Sequence, residues 1–251
     1  KKMSKSKGNV VTPADILKQH GSDAVRYWSA SSRLGTDAAF DPQNPTQVKI
    51  GRRLAIKLLN AAKFVLSFPV PEGAEVTHAL DASMLATLDA VVRDATAAFE
   101  AYDHARALEI TESFFWTFCD DYLELVKERA YDQTDVGQAS AALALRTALS
   151  TLVRLFAPVL SFAAEEVWSW FEEGSVHTAE WPEPSGIEGD PAVLTAVSAA
   201  LIGIRRAKTE AKASQKTPVT SRTVAGPNVE ALRLAEGDLR AVGRIETISF
   251  A

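Results

Sequence analysis

The sequence predicts a mainly α-helical fold, in which an antiparallel helical bundle follows a short N-terminal segment and precedes a small α/β appendage. Apolar residues recur at three-to-four spacing along four long segments, which is the period of an amphipathic helix. Alanine, the strongest helix former, is frequent in these segments, and connectors rich in glycine and proline separate several of them. With 251 residues, 47% of them hydrophobic, the chain can bury a substantial core.

Two short helices are predicted before the bundle. Thr12 can cap the first helix, Pro13 suits its first position, and Gly21 ends it. Ser22 can cap the second helix, which runs through the segment DAVRYWSASS. The next segment, RLGTDAAFDPQNP, contains Gly, Pro and Asn and therefore predicts a loop.

The bundle and the appendage account for the rest of the chain. The four bundle helices are predicted near residues 46–67, 81–103, 105–131 and 138–173. A connector rich in Gly and Pro follows, and then a further helix over 191–213. The runs VTSRTVA and RIETISF predict two short strands near the end, and the sequence does not indicate how the second strand pairs.

Cysteine content and hydropathy limit the classes of function. The single cysteine, Cys119, excludes an internal disulfide, and its apolar neighbours predict a buried residue rather than a nucleophile. No run of eighteen consecutive apolar residues is present. We therefore expect a cytoplasmic protein with no membrane partner.

Charge is unevenly distributed along the chain. The net charge is −5 overall, but residues 1–71 carry +8, residues 72–189 carry −16 and residues 190–251 carry +3. This asymmetry suggests a part that faces a polyanion, joined to an acidic scaffold, although acidic helices are also common on soluble proteins.

The first bundle helix has one positive face. At 100° per residue, five basic residues, one asparagine and one phenylalanine fall within an arc of about 140°. The seven are Lys49, Arg52, Arg53, Lys57, Asn60, Lys63 and Phe64. A solvated face usually mixes acidic and basic residues, whereas cations beside an aromatic ring can hold phosphates and stack on an unpaired base. The pattern predicts a nucleic-acid contact, with packing at the edge of the apolar stripe as the alternative for Phe64.

Two weaker patterns lead to further predictions. The series Arg205, Lys208, Lys212 and Lys216 could follow a phosphate backbone or only complement a helix dipole. Four bundle aromatics are predicted to lie in the core: Trp116, Tyr122, Trp168 and Trp170.

The chain opens with a segment rich in lysine and serine, KKMSKSKG. Such a segment can close over phosphates, with ammonium groups offsetting charge that grows as a phosphoryl bond breaks. Composition alone is more typical of a disordered tail. Lys2-Met3-Ser4-Lys5-Ser6, however, matches in full the KMSKS signature of class I aminoacyl-tRNA synthetases. The wider segment KMSKSKGNVVTPADILKQHGSDAVRYW resembles the members of that family that activate valine, isoleucine and leucine.

Later segments resemble the anticodon-binding bundle of the same family. KIGRRLAIKLLNAAKFVL resembles its first helix and ESFFWTFCDDYLELVK its third. LVRLFAPVLSFAAEEVWSWF resembles its fourth, although Ser161 stands where a second proline is usual. The resemblance covers residues 2–185 well and residues 190–251 weakly.

The resemblance implies roles for individual residues. Lys5 is implied to stabilise the transition state in which pyrophosphate leaves, and Lys2 to assist ATP binding and this catalysis. The implied ATP-binding set is Lys2, Met3, Ser4, Lys5 and Ser6. The implied tRNA-binding set is Arg52, Arg53, Lys57, Asn60, Lys63 and Phe64. No protein metal ligands are predicted, and ATP with Mg²⁺ is implied for the full-length enzyme only.

The resemblance also implies that this chain is the C-terminal part of a longer enzyme. The family needs two histidines three residues apart, and the four histidines here are never that close. The isolated chain is therefore expected not to catalyse adenylation. Its implied domains are the KMSKS loop with stem-contact helices at 1–41, the anticodon-binding bundle at 42–185 and the appendage at 186–251, in a monomer.

Valine is the implied amino acid, and tRNA(Val) the implied partner, because GTDAAFD and NAAKFV resemble the valine-activating branch. The isoleucine-activating branch is the alternative, although its cysteine-rich zinc module has no counterpart in these residues. A stand-alone tRNA-binding module and a helical scaffold whose basic face is only solvated are two competing hypotheses. The intact signature disfavours the scaffold.

Overall fold

A computed structural model of the chain describes residues 14–36, 40–41 and 44–251, and it confirms the mainly helical fold with a small α/β appendage. Thr12 and Pro13, which were predicted to start the first helix, lie outside the described residues. Helix α1 spans Ala14–His20 and α2 spans Ser22–Ala30. Gly21 joins them with a φ of 85°, a conformation that glycine adopts without steric cost.

Six α-helices form the bundle. They are α3 (Thr46–Val65), α4 (Ala79–Glu100), α5 (His104–Thr117), α6 (Leu123–Tyr131), α7 (Gln138–Phe156) and α8 (Ser161–Trp168). Among the described helices, α7 alone is long and apolar enough to cross a membrane by length and composition, but 67% of its most apolar window is buried. It is therefore the central core helix of the bundle.

Two predicted bundle helices are interrupted in the structure. The helix predicted over 105–131 contains a π-helical turn, Phe118–Tyr122, between α5 and α6. The helix predicted over 138–173 ends at Phe156 and restarts at Ser161. Pro158 lies in this gap, and because proline has no N–H group to donate, it does not continue a helix.

The appendage packs on the bundle through α9 (Pro191–Glu210), whose first turn is capped by Asp190. The chain continues as β1 (Val219–Val224), α10 (Val229–Arg233), α11 (Glu236–Gly243) and β2 (Ile245–Phe250). The two strands pair in parallel, with Val219 opposite Ile245. Parallel pairing requires a crossover, and the pair α10–α11, which the sequence did not predict, supplies it.

The buried residues of the appendage belong to the same hydrophobic core as those of the bundle. Leu194, Val197 and Leu201 on α9 and Leu239 on α11 join the cluster that α4 and α7 dominate. The domain boundaries at 41/42 and 185/186 stay predictions. A core that the bundle and the appendage share neither supports nor excludes a domain boundary between residues 185 and 186.

A buried ion cluster fastens the appendage to the bundle. The Arg129 side chain on α6 is 7% exposed and lies between Asp81 on α4 and Asp238 on α11, which are 0% and 3% exposed. Its guanidinium donates two hydrogen bonds to each carboxylate, at 2.8 Å to Asp81 and 3.0 and 3.1 Å to Asp238. Tyr122 and Ser140 donate their hydroxyls to Asp81 at 2.8 and 2.7 Å. Burial lowers the pKa of Arg129, but the two carboxylates outweigh this effect and raise it, so the guanidinium stays charged.

A second polar contact positions α2 on the bundle. Asp23 accepts hydrogen bonds from the backbone N–H groups of Phe162 and Ala163, at 3.1 and 2.7 Å, and so satisfies the start of α8. Arg26 donates to the carbonyls of Pro158 and Val159 at 2.7 and 3.1 Å. One turn of α2 therefore accepts hydrogen bonds from the free N–H groups at the start of α8 and donates to the free carbonyls between α7 and α8.

Candidate nucleic-acid interface

The predicted ATP-binding residues lie outside the described part of the chain. Lys2, Met3, Ser4, Lys5 and Ser6 all belong to the first thirteen residues, and their roles stay predictions. The candidate site that the structure does describe is the polar face of α3.

Helix α3 is oriented by its apolar face and by one glycine. Leu54, Leu58 and Ala62 are buried against the bundle. On the side facing α2, a Cβ at Gly51 would lie 2.5 Å from Cβ of Tyr27, closer than side chains approach one another, so glycine allows the two helices to pack tightly. The polar face of α3 is thereby turned to solvent.

The structure brings the predicted tRNA-binding residues together on this face. Arg52, Arg53, Asn60 and Lys63 are exposed, whereas Lys57 and Phe64 are half-buried. Exposure of most of the row is the arrangement that a polyanion contact requires, since exposed cations keep their donor groups available.

Trp116 lies beside one edge of the basic face. Cζ of Arg53 lies 5.0 Å from the centroid of its ring, and Nζ of Lys57 lies 5.8 Å away. The indole N–H donates to Glu112 Oε1 at 3.1 Å, one helical turn earlier, which fixes the ring. Glu112 also accepts from the Tyr27 hydroxyl at 2.7 Å, and burial together with this carboxylate raises the pKa of Tyr27.

Trp170 repeats this arrangement at the other edge. Nζ of Lys63 lies 5.7 Å from its ring centroid, and the indole N–H donates to Glu166 Oε1 at 3.1 Å. A cation held over an aromatic ring gains attraction from the ring quadrupole without losing its hydrogen-bond donors. The two tryptophans therefore orient cations of α3 without neutralising them.

The prediction that all four bundle aromatics lie in the core is confirmed for two of them and holds only in part for the other two, which pack against the core but are not fully buried. Tyr122 and Trp168 are buried, but Trp116 and Trp170 are half-buried at the edges of the α3 face. The sequence holds a signal that would have distinguished them, because each has a glutamate four residues earlier, at the spacing of a fixed side-chain pair.

The remaining cations of the face have polar partners. Arg52 donates to the carbonyl of Gln19 at 3.0 Å, and Lys49 donates to Asn44 Oδ1 at 3.0 Å. Lys57 forms an ion pair with Asp120 of the π-helical turn at 2.9 Å. Within the described residues, neither Arg53 nor Lys63 pairs with a carboxylate, so these two carry uncompensated charge at the two edges of the face.

Phe64 packs edge-to-face with Phe68 and Tyr131, at centroid distances of 5.0 and 6.1 Å. Nζ of Lys127 lies 5.8 Å from the Phe64 centroid. The stacking of Phe64 on a base stays a prediction, although its half-buried position is the one expected from packing at the edge of the apolar stripe.

The second basic series is not available as a row of phosphate contacts. Arg205 pairs with Asp121 at 3.4 Å and donates to the carbonyl of Asp120 at 2.8 Å. Lys208 is buried, and its ammonium donates to the carbonyls of Gln215, Thr217 and Gly243. Burial lowers the pKa of Lys208. Lys208 organises the appendage, so its interpretation as a phosphate contact was wrong, whereas for the half-buried Arg205 that interpretation stays a prediction.

The described residues give little support to a metal site or a cysteine nucleophile. Within them, no group of three or more His, Cys, Asp or Glu side chains could hold a metal ion. Cys119 is buried as predicted, and burial raises the pKa of its thiol to about 12, so it is not a thiolate at neutral pH. The site is best suited to binding a polyanion.

Comparison with known proteins places the chain in a family. Residues 81–223, more than half of the chain, match the anticodon-binding domain of tRNA ligase, and residues 1–41 match the class I tRNA synthetases of the I, L, M and V group. Helix α3 lies between the two matched regions.

Curated relatives match the whole chain. It is 66% identical to a "Valine--tRNA ligase" of Leifsonia xyli, 58% to one of Thermobifida fusca and 51% to one of Salinispora tropica, over 100% of its own length. The chain spans 30%, 29% and 32% of the lengths of these relatives.

A solved structure shares the fold. The crystal structure of an Agrobacterium radiobacter LeuRS–tRNA–LeuAMS complex matches 74% of this chain and 23% of that one, with a TM-score of 0.50 and 22% identity. The family match over residues 81–223 shows that the chain belongs to the anticodon-binding domain family of tRNA ligases.

Proposed function

We propose that this chain is the C-terminal, tRNA-binding part of a valine–tRNA ligase, and that the polar face of α3 contacts the anticodon region of tRNA(Val). The observation that carries the proposal is that Arg53 and Lys63 lie over two tryptophans and pair with no carboxylate of the described residues. The relatives named for valine, rather than isoleucine, favour valine as the amino acid.

In this proposal the cations and Asn60 have different tasks. Arg52, Arg53, Lys57 and Lys63 neutralise phosphates, which supplies affinity and makes it dependent on salt. Asn60 lies near the middle of the row and is exposed, so its amide can donate to and accept from a base edge. Lys57 exchanges its Asp120 partner for a phosphate when RNA binds.

We propose for the whole enzyme that it forms valyl-adenylate from ATP, with Mg²⁺, and transfers valine to tRNA(Val). Lys2 and Lys5 act on the ATP phosphates in this proposal, because ammonium groups offset the charge that grows on the leaving pyrophosphate. We further propose a cytoplasmic monomer. The match of residues 1–41 to class I synthetases supports the use of ATP.

The test is binding of this chain to tRNA transcripts over a series of salt concentrations. We expect Arg52→Ala with Arg53→Ala to weaken binding and to reduce the slope of log affinity against log salt by about 1.4, roughly 0.7 for each phosphate contact on a single strand. The matched control is Arg93→Ala with Arg206→Ala, which removes the same charge from exposed positions outside α3. Equal losses in the two double variants would remove α3 from the interface.

Specificity is tested with a panel of transcripts for valine, isoleucine and an unrelated amino acid, together with a valine tRNA whose anticodon is changed. We expect a preference for the valine transcript that disappears when its anticodon is replaced. Equal binding to all four transcripts would contradict anticodon reading by this chain and would support phosphate affinity alone.

A further inference from the structure

An aromatic cluster lies where α3 and α6 end. Phe64, Phe68 and Tyr131 pack edge-to-face, and the ring centroids of Phe68 and Tyr131 lie 4.9 Å apart. Phe68 is buried, with 3% of its surface exposed, whereas Tyr131 is 58% exposed. Phe68 is therefore the buried side of the cluster, and the Tyr131 ring is the side that faces solvent.

Packing inside the protein does not account for the outer part of Tyr131. Within the described residues its hydroxyl has no hydrogen-bond partner, and its ring is the last side chain of α6. One edge of the ring is held by two neighbouring aromatics, so the side chain is oriented before any ligand arrives. A ring held in this way loses little conformational entropy when a second flat group stacks on it.

The charges around this ring suit a nucleic acid. Lys127, four residues earlier on the same face of α6, is exposed and places its ammonium 5.8 Å from the centroid of the Phe64 ring. The nearest acidic residues of α6 and its following turn, Glu128 and Asp132, line a different cavity beside α11. The exposed face of the cluster therefore has one cation beside it, Lys127.

The cluster also continues the proposed interface. Lys57, Asn60 and Phe64 follow one another along α3 at intervals of three and four residues, and Phe64 contacts Tyr131. A strand of RNA whose phosphates follow this row reaches Tyr131 at its end. An unpaired base there meets an exposed aromatic ring with the Lys127 ammonium beside the same cluster, and this combination binds single-stranded bases.

We propose that Tyr131, rather than the half-buried Phe64, stacks on an unpaired base of the bound tRNA. The inference rests on the proposed function, since it needs tRNA on the α3 face. Lys127 is the phosphate contact next to that base, and Phe64 and Phe68 position the tyrosine ring.

The experiment compares Tyr131→Leu and Tyr131→Phe with the unsubstituted chain in binding to a valine tRNA transcript. Leucine keeps the apolar packing on Phe68 but has no π face, and phenylalanine keeps the ring. We expect Tyr131→Leu to weaken binding by roughly 10-fold with an unchanged salt slope, and Tyr131→Phe to stay within about twofold. Thermal unfolding of each variant checks that the bundle remains folded.

A direct readout uses the transcript with 2-aminopurine at each of the three anticodon positions in turn. Stacking quenches this base, so we expect quenching at one position that the Tyr131→Leu variant abolishes and the Tyr131→Phe variant retains. If Tyr131→Leu changes neither affinity nor quenching while the double arginine variant still weakens binding, the role of Tyr131 is overturned and the proposed function is not. Failure of the unsubstituted chain to bind the transcript would overturn the proposed function as well.

Discussion

Arg129 and Arg53 are arginines of the same bundle in opposite situations. Arg129 is buried, and its guanidinium donates to two carboxylates and to the carbonyl of Gly137. Arg53 is exposed and lies over Trp116, with no carboxylate partner in the described residues. The first cation has little capacity left for a ligand, whereas the second keeps its five donors.

The difference shows how one bundle uses positive charge for two purposes. A buried guanidinium must be paired, because transferring an uncompensated ion out of water costs several kcal/mol. Pairing it with Asp81 and Asp238 links α4, α6 and α11, so its contribution is structural. At the surface the cost is absent, and an aromatic ring can orient a cation without neutralising it. The location of the partners, more than the residue type, separates the two roles.

We expect the largest effect, a loss of stability, from removing the buried cation Arg129. Arg129→Met leaves Asp81 and Asp238 buried without their counterion, so we expect a loss of about 3–5 kcal/mol in the free energy of unfolding. Urea denaturation measures it, with the exposed Arg93→Met as the matched control. Because Asp238 belongs to α11, amide exchange in α11 should accelerate most. A loss below about 1 kcal/mol would mean that the cluster is not a stabilising link.

We expect a smaller loss of stability from removing Asp23, whose carboxylate accepts hydrogen bonds at the start of α8. Asp23→Ala removes the acceptor for two N–H groups at the start of α8, so we expect a loss of about 0.5–2 kcal/mol in the free energy of unfolding. Asp23→Asn keeps one oxygen acceptor and should lose less. Equal losses in the two variants would show that the hydrogen bonds to α8 are unimportant and that only the charge matters.

We expect the smallest effect, a gain in tRNA affinity, from removing the carboxylate that pairs with Lys57 on the exposed face of α3. Asp120→Asn removes the carboxylate that holds Lys57 at 2.9 Å, so Lys57 is free for a phosphate. We expect tRNA binding to tighten by about 0.2–1 kcal/mol, the range of exposed ion pairs. Filter binding at low salt measures this, with Glu124→Gln as a control that removes a nearby exposed charge not paired with α3. An equal gain in the control would indicate a general charge effect rather than release of Lys57.

Several features of the fold follow from local sequence alone. The period of apolar residues predicted α3 over 46–67, and the structure has Thr46–Val65. The positive face was visible for the same reason, since helical geometry brings residues three and four apart to one side. The buried state of Cys119 likewise followed from its apolar neighbours.

Features that depend on contacts between distant segments did not follow. Trp116 and Trp170 were expected in the core, and only the packing of α5 and α8 beside α3 shows that they flank the basic face. Arg205 and Lys208 kept the spacing of a phosphate track, but their partners come from Asp121 and from the turns of the appendage. The spacing of residues along one helix does not reveal which distant segment lies against it.

The sequence by itself determined the helical class, the KMSKS segment and the basic row on α3, because each depends on residues close together in the chain. Only the tertiary structure decided which cations are buried and paired, which lie over aromatic rings, and that Tyr131 is the exposed ring of its cluster. The physical reason is that the energy of a charge or a ring is set by its burial and its partners, and these arise when residues as far apart as Asp81 and Asp238 meet.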